Sequence, residues 1–373
     1  MKLIKLSKSN LSFRERASVT TVLNREFLGM GTEVKKFESD LSNYFSRPAT
    51  CVSNGTAALH LSLQALNIGP GDEVLVQTIT YVASFQAISA TGAKPIACDI
   101  DPETLTIDLK DAQRRITSRT KAIMLVHYAG GVGDLKSAYQ FAKDFGLRVI
   151  EDAAHAFGSK YDGKLVGSDA DIACFSFDGI KNITSGEGGC VVSSDLEVIR
   201  KIEDSRLLGV ENDTNARFSN SRSWDFDVKA QGWRYHMSDI MAAIGRTQLK
   251  RINDFSIIRK SIAKDYDKAL SKQQRVSFFK QDYESIVPHI YPIRILGLTV
   301  ENRECLRQKL KEKGVQVGIH YKPNHLLSFF SDSLADPLHK AESVYPELLS
   351  LPLHTELTKA DVKLVVSALL SEI

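Results

Sequence analysis

The sequence predicts an α/β protein whose large N-terminal part is built on a mainly parallel sheet, followed by a smaller C-terminal α+β part. Two observations lead there. Over roughly the first two-thirds, short apolar runs alternate with stretches of helical character, the pattern of repeated strand–helix–strand units. The second observation is size: 373 residues, 43% hydrophobic and 25% charged, supply a large core and read as two structural units. These are placed at residues 1–250 and 251–373.

Taken in order, strands are expected at Thr50–Ser53, Glu73–Val76, Lys94–Cys98, Ala122–Val126, Arg148–Glu151, Ile172–Ser176 and Gly189–Val192, each a short run rich in aliphatic or β-branched residues. Helices are expected between them at Gly55–Leu66, Val82–Ala90, Leu135–Phe145 and Leu196–Leu207, the last with Asp195 as its N-cap. From Val210 to Trp233 the chain is polar, with Asn, Ser, Arg and Asp interleaved, and reads as an irregular excursion near a subunit or substrate surface. One long helix is expected from Met237, capped by Ser238 and running through Ala242, Ile244, Leu249 and Ile252 towards Tyr266. Beyond it follow a strand near Ile286–Ile295, a helix near Arg303–Lys313, a strand near Val315–Ile319 and two C-terminal helices.

Charge is nearly balanced, 48 basic against 45 acidic residues for a net +3, with no basic tract. That argues against a nucleic acid polymer as partner while leaving a phosphorylated small molecule open. Met1 to Lys8 carry no extended apolar stretch and no cleavage pattern. The uncharged run from Val74 to Ala93 is interrupted by Gln77, Thr78, Thr80, Ser84, Gln86, Ser89 and Gly92, so no membrane span is expected. Cysteines 51, 98, 174, 190 and 305 lack metal-ligand spacing. Their odd number suits reduced thiols in a cytoplasm, with no metal site.

The chemistry centres on Lys181, in a mostly uncharged loop downstream of Asp152. A lysine so placed suits a Schiff base to the aldehyde of pyridoxal phosphate, and the cofactor's ring nitrogen needs a carboxylate to stay protonated. Asp152 ends the apolar run Leu147-Arg148-Val149-Ile150, so its carboxylate falls at the C-terminal sheet edge, where open α/β sheets bind ligands. Gly55 and Thr56 open a helix directly after a strand, an arrangement that favours a phosphate; the bland alternative is a tight turn. Ser176 ends another apolar run and offers a second hydroxyl. Tyr81 follows a strand at the same edge and can either cover a planar ring or pack in the core. His155 can stack on or donate to the cofactor, or be structural.

Together these residues resemble the DegT/StrS-type family of pyridoxal-phosphate-dependent nucleotide-sugar aminotransferases. The resemblance rests on Asn54-Gly55-Thr56-Ala57-Ala58-Leu59, Glu151-Asp152-Ala153-Ala154, Phe175-Ser176-Phe177 with Lys181-Asn182, Gly186-Glu187-Gly188-Gly189, Met237-Ser238-Asp239-Ile240 and Gly318-Ile319-His320-Tyr321. It implies an aspartate-aminotransferase-like large domain (pyridoxal phosphate fold type I), a smaller C-terminal domain, and a homodimer with shared active sites. It implies Lys181 as cofactor lysine and proton carrier and Asp152 at the ring nitrogen. Gly55, Thr56 and Ser176 would lie at the phosphate, Tyr81 on the ring and His155 near the phenolic oxygen. The partners implied are an amino-acid donor, glutamate, and a nucleotide-linked keto sugar, leaning to 4-keto-6-deoxy, in O-antigen or other surface-glycan synthesis. His320, Tyr321, Lys322 and His325 match a segment that approaches substrate. Gly232-Trp233-Arg234-Tyr235-His236-Met237 departs from the usual Gly-aromatic-Asn-Tyr-Arg-Met, and Arg234 stands where an asparagine reaches a cofactor phosphate across the dimer. The alternatives are amination at C-3, a pyridoxamine-phosphate-dependent dehydratase, whose members typically carry histidine at the Lys181 position, and a catalytically silent cofactor-binding sensor.

Overall fold

The computed structural model describes residues 3–219, 221, 224–279, 281–331 and 336–373. Two helices come first, α1 (Phe13–Leu23) and α2 (Thr32–Phe45). Neither was anticipated: α1 is short and only weakly amphipathic, while α2 begins at Gly31, which has no capping side chain of its own. The missing cap arrives from far along the chain. Asp239 Oδ1 accepts from the Gly31 and Val34 N–H groups at 2.9 and 3.1 Å.

The strand–helix alternation then follows, with one helix (Leu109–Arg114) and one small hairpin beyond those expected. In order come β1 (Ala49–Val52), α3 (Gly55–Ala65), β2 (Glu73–Gln77), α4 (Val82–Ala90), β3 (Lys94–Cys98), α5 (Leu109–Arg114) and β4 (Thr120–Val126). After them come α6 (Leu135–Asp144), β5 (Arg148–Asp152), the small hairpin β6 (Lys160–Tyr161) and β7 (Lys164–Leu165), β8 (Ile172–Ser176), β9 (Gly189–Val192) and α7 (Leu196–Ser205). Seven strands form one sheet in the order β1-β9-β8-β5-β4-β2-β3. Only β9 runs against its neighbours, so the sheet is mainly parallel. The strands are almost wholly buried on both faces, as parallel sheets with helices on each side require. Asp195 caps α7 through the Glu197 and Val198 N–H groups, as expected.

The polar stretch from 210 to 233 contains one short helix, α8 (Asp213–Phe218); its positions 220, 222 and 223 lie outside the described residues, as do positions 1 and 2 of the N-terminal stretch. Ser238 caps the next helix by accepting from Met241 N, but the single long helix expected to Tyr266 is two: α9 (Asp239–Leu249) and α10 (Ile252–Leu270). Their apolar periodicity runs on across the Lys250–Arg251 break, which is why the sequence reads as continuous.

A second, antiparallel sheet comprises β10 (Val276–Phe278), β11 (Tyr291–Ile295) and, after α11 (Val300–Glu312) and α12 (His339–Val344), β12 (Leu348–Leu351). The C-terminal α13 (Lys359–Leu370) packs on α10. The strand expected near 286–295 shortens to Tyr291–Ile295, because the preceding residues make tertiary contacts through loop carbonyls instead. No strand forms at Val315–Ile319. That segment makes isolated bridges to Ile4 and Ser350, so its apolar residues are held in place without a ladder. Ile4 thereby joins the N-terminal residues to the core beneath the second sheet.

Candidate active site

Residues at the C-terminal ends of β1, β2, β4, β5 and β8, or in the loops that follow them, line one cavity of about 720 Å³. Asp152, the last residue of β5, is buried and lines it. Its Oδ2 accepts from Ser84 Oγ at 2.7 Å, and Ser84 is itself bonded to Thr80 Oγ1 at 2.9 Å. The carboxylate is therefore fixed from α4, one turn after Tyr81. Ser84 was missed in the sequence, although its spacing from Tyr81 puts both at the same edge.

Lys181 lines the same cavity from the loop after β8. Burial pushes its ammonium down from 10.5 to about 8, against the opposing pull of Asp152 and Asp178 and with help from Arg259. Its neighbour Asn182 is buried and donates to the Phe157 and Val287 carbonyls at 3.0 and 3.4 Å, which fixes the loop from behind.

Opposite, α3 begins at the cavity. Asn54 caps it, accepting from Ala57 N at 2.8 Å. The N–H groups of Gly55 and Thr56 donate to no acceptor among the described residues. A Cβ at Gly55 would sit 2.8 Å from Ser176 Cβ, so only glycine lets the helix start approach the end of β8 this closely. Two free N–H groups, the dipole end of an eleven-residue helix and the Ser176 hydroxyl make a cradle for a phosphate.

The remaining walls are aromatic. Tyr81 is 57% exposed at the mouth, its ring 5.6 Å from that of Tyr321. Tyr321 OH lies 3.1 Å from His155 Nε2, while His155 Nδ1 is buried without a partner. Burial drives His155 well below the ordinary imidazole range, with Lys181 and His320 adding to the effect, so its ring is neutral. His320 is lowered to about 4 by burial and by Lys181, and its Nδ1 pairs with Ser350 Oγ at 2.8 Å.

Not every anticipated residue arrives. His325 is spent on structure, its ring bridging Thr78 Oγ1 at 2.7 Å and Glu342 Oε1 at 3.2 Å, and Lys322 is exposed; neither lines the cavity. Asn324 explains the divergence, because it is buried and donates to the Thr78 and Thr80 carbonyls, turning the chain away after Tyr321. Arg234 is exposed and also absent from the lining of its own chain's cavity. Conversely, Asp178, Ile180, Glu187, His60 and Tyr235 line it without having been singled out. A second cavity of about 640 Å³ lies beside β4, but its carboxylates are engaged: Asp108 pairs with Lys340 and Asp134 caps α6.

A lysine amine, a strand-end carboxylate and an anion cradle in one cleft are what a pyridoxal phosphate site demands, and the residues present fit that group. A model of the DegT/DnrJ/EryC1/StrS aminotransferase family matches residues 10–370. The chain belongs to that family. Among its relatives, GDP-perosamine synthase of Escherichia coli O157:H7 is 39% identical over 335 residues, 89% of this chain and 88% of that protein. Among solved structures, Spr1654 of Streptococcus pneumoniae in its PLP form superposes with a TM-score of 0.91 at 30% identity, covering 99% of this chain and 98% of that one. Helicobacter pylori PseC, an aminotransferase of pseudoaminic acid biosynthesis, gives the same TM-score at 27% identity over 100% of this chain and 99% of its own. The DegT/DnrJ/EryC1/StrS assignment makes the protein an aminotransferase, and its fold is the α/β architecture shared by these structures.

Proposed function

We propose that this aminotransferase moves an amino group from L-glutamate to the keto carbon of a nucleotide-linked deoxysugar, with a 4-keto-6-deoxy sugar as acceptor. One juxtaposition carries the reading: Lys181, with its weakened hold on a proton, lines the same cavity as buried Asp152 and the free N–H groups of α3. The nucleotide sugar in the name of GDP-perosamine synthase, and the sugar pathway in that of PseC, support the acceptor class.

Pyridoxal phosphate, when bound, supplies an electron sink for the bond broken at the amino-bearing carbon. Lys181 would hold it through its amine, and its side chain would carry the proton. A lysine at its ordinary value near 10.4 is almost wholly ammonium at neutral pH, whereas one at about 8 offers a usable neutral fraction. Asp152, held by Ser84, would pair with the ring nitrogen. Gly55, Thr56 and Ser176, which line the cavity, would hold the phosphate, Tyr81 would cover the ring, and neutral His155 would serve the phenolic oxygen. His320 and Tyr321 face the substrate side.

The protein acts as a cytoplasmic homodimer with sites shared between protomers, supplying an amino sugar for O-antigen or another surface glycan. Arg234, exposed and outside its own cavity, is available to the partner's site. The deciding assay incubates the enzyme with glutamate and a panel of 3-keto and 4-keto nucleotide sugars, locating the new amine by NMR. A 4-amino-6-deoxy product is expected; amination at C-3, or of no nucleotide sugar, overturns the reading.

A further inference from the structure

Among the described residues three arginines are almost entirely enclosed: Arg206 and Arg303 at 0% exposure and Arg259 at 3%. Arg206 is paired with Glu38. Arg303 and Arg259 meet no carboxylate among the described residues and donate to backbone carbonyls instead. Carbonyls offset only part of the cost of burying a charge, so each position calls for a reason. For Arg303 the reason is local, since its Nη1 donates to the Tyr345, Pro346 and Leu348 carbonyls under β12.

Arg259, on the buried face of α10, reaches towards the active site. It donates to the His289 carbonyl at 3.1 Å, to Leu353 at 3.4 Å and to Pro288 at 3.5 Å. The preceding carbonyl, Val287, is the one that Asn182 grips beside Lys181. The ring of His289 lies 4.5 Å from that of His155. The 287–289 segment therefore backs both the lysine loop and the histidine of the cavity, and Arg259 holds that segment in place.

We propose that Arg259 is a positioning residue for the reacting amine: through Nη1 it fixes the 287–289 segment behind Lys181 and His155, and so seats a guanidinium without a carboxylate partner among the described residues at the back of the lysine loop. The inference rests on Lys181 being that amine. The groups facing Lys181 are Asp152 and Asp178, which favour its charged form, with Glu187 hydrogen-bonded to Asp178. His155, His289 and His320 are held neutral by burial, and Tyr321 keeps its proton. Among the described residues, Arg259 is the fixed cation that acts on the lysine.

The test compares full-length wild type, R259M, R259K and the control R303M, each loaded with pyridoxal phosphate. The proton on the nitrogen shared by Lys181 and the cofactor is titrated by visible absorbance. Removing a nearby cation favours the protonated form, so the R259M midpoint should rise by about one unit, a tenfold gain in proton affinity. R259K, which keeps the charge, should titrate like wild type, and R303M should lose thermal stability with its midpoint unmoved. An unchanged R259M midpoint, an equal rise in R303M, or a raised midpoint in R259K overturns the proposal; the R259K result decides it if R259M does not fold. Borohydride reduction and peptide mapping of loaded wild type report separately whether Lys181 is the attached residue.

Discussion

Lys181 gives up its proton more readily than a solvated lysine, near 8 rather than 10.5, because its ammonium loses hydration that Asp152 and Asp178 only partly replace. The sign of the pH effect follows. The side chain accepts a proton only when neutral, so the rate of the glutamate half-reaction should fall as pH drops below about 8 and level off above it. Stopped-flow measurement across pH 6–9.5 checks this. The folded state also disfavours a charged Lys181, so in cofactor-free protein this group costs stability below about pH 8 and ceases to do so as pH rises towards 10.5. Lys181→Met should flatten that rise in urea-denaturation midpoints. Lys181→Ala should abolish transamination while leaving the fold intact; turnover at the wild-type rate would remove the lysine from its role. The residues at this scale were legible because each sits at a strand end or helix start that the apolar runs define. Ser84 and His289 were not, since the first is an ordinary helical serine in sequence and the second comes from a loop more than a hundred positions from the residues it backs.

Gly55 shows how an element boundary becomes a binding feature. Its φ is helical, so what demands glycine is the absence of a side chain, with β8 and α3 meeting where a Cβ would lie 2.8 Å from Ser176. Gly55→Ala should leave circular dichroism unchanged and weaken cofactor binding by roughly tenfold or more, read by absorbance titration, because the cradle must open to admit the methyl. The cap that Asp239 lends to α2 is the structural counterpart. Asp239→Ala leaves the buried Gly31 and Val34 N–H groups unsatisfied and should cost about 1–3 kcal/mol in chemical denaturation, with little change in cofactor affinity. Elements with local signals were readable: Asp195 and Ser238 cap helices as expected, and the strand at Lys94–Cys98 falls where the apolar run puts it. Elements that depend on distant partners were not. α2 borrows its cap, β12 exists as a strand because β11 lies beside it, and the 315–319 segment lacks a continuous ladder partner, so its β-branched residues make no strand.

At the scale of the whole molecule, one chain does not account for all of its polar and apolar surface. On the excursion Trp224 is 85% exposed, with Phe226 at 55% and Val228 at 49%, and Leu208 just before it is 48% exposed; large aromatics so exposed suit an interface. Arg234 follows the same region, bridged to Leu207, is exposed and does not line the cavity of its own chain. A two-fold homodimer in which this face meets its copy would bring each Arg234 to the opposite site. Shared sites make a prediction that separate sites do not. Lys181→Ala and Arg234→Ala should each be inactive or nearly so as pure proteins. Mixed in equal amounts under conditions that let subunits exchange, they should recover about a quarter of wild-type activity, because half of the pairs are then mixed and each mixed pair assembles one intact site. Independent sites would give no recovery at any mixing ratio, and an Arg234→Ala protein active by itself would show that the arginine is not part of the site. Trp224→Asp should weaken the pairing, so that its activity depends on protein concentration and its sedimentation shifts towards the single chain. Such a loss, reversed at high concentration, would tie the exposed aromatic excursion and the completed site to the same association.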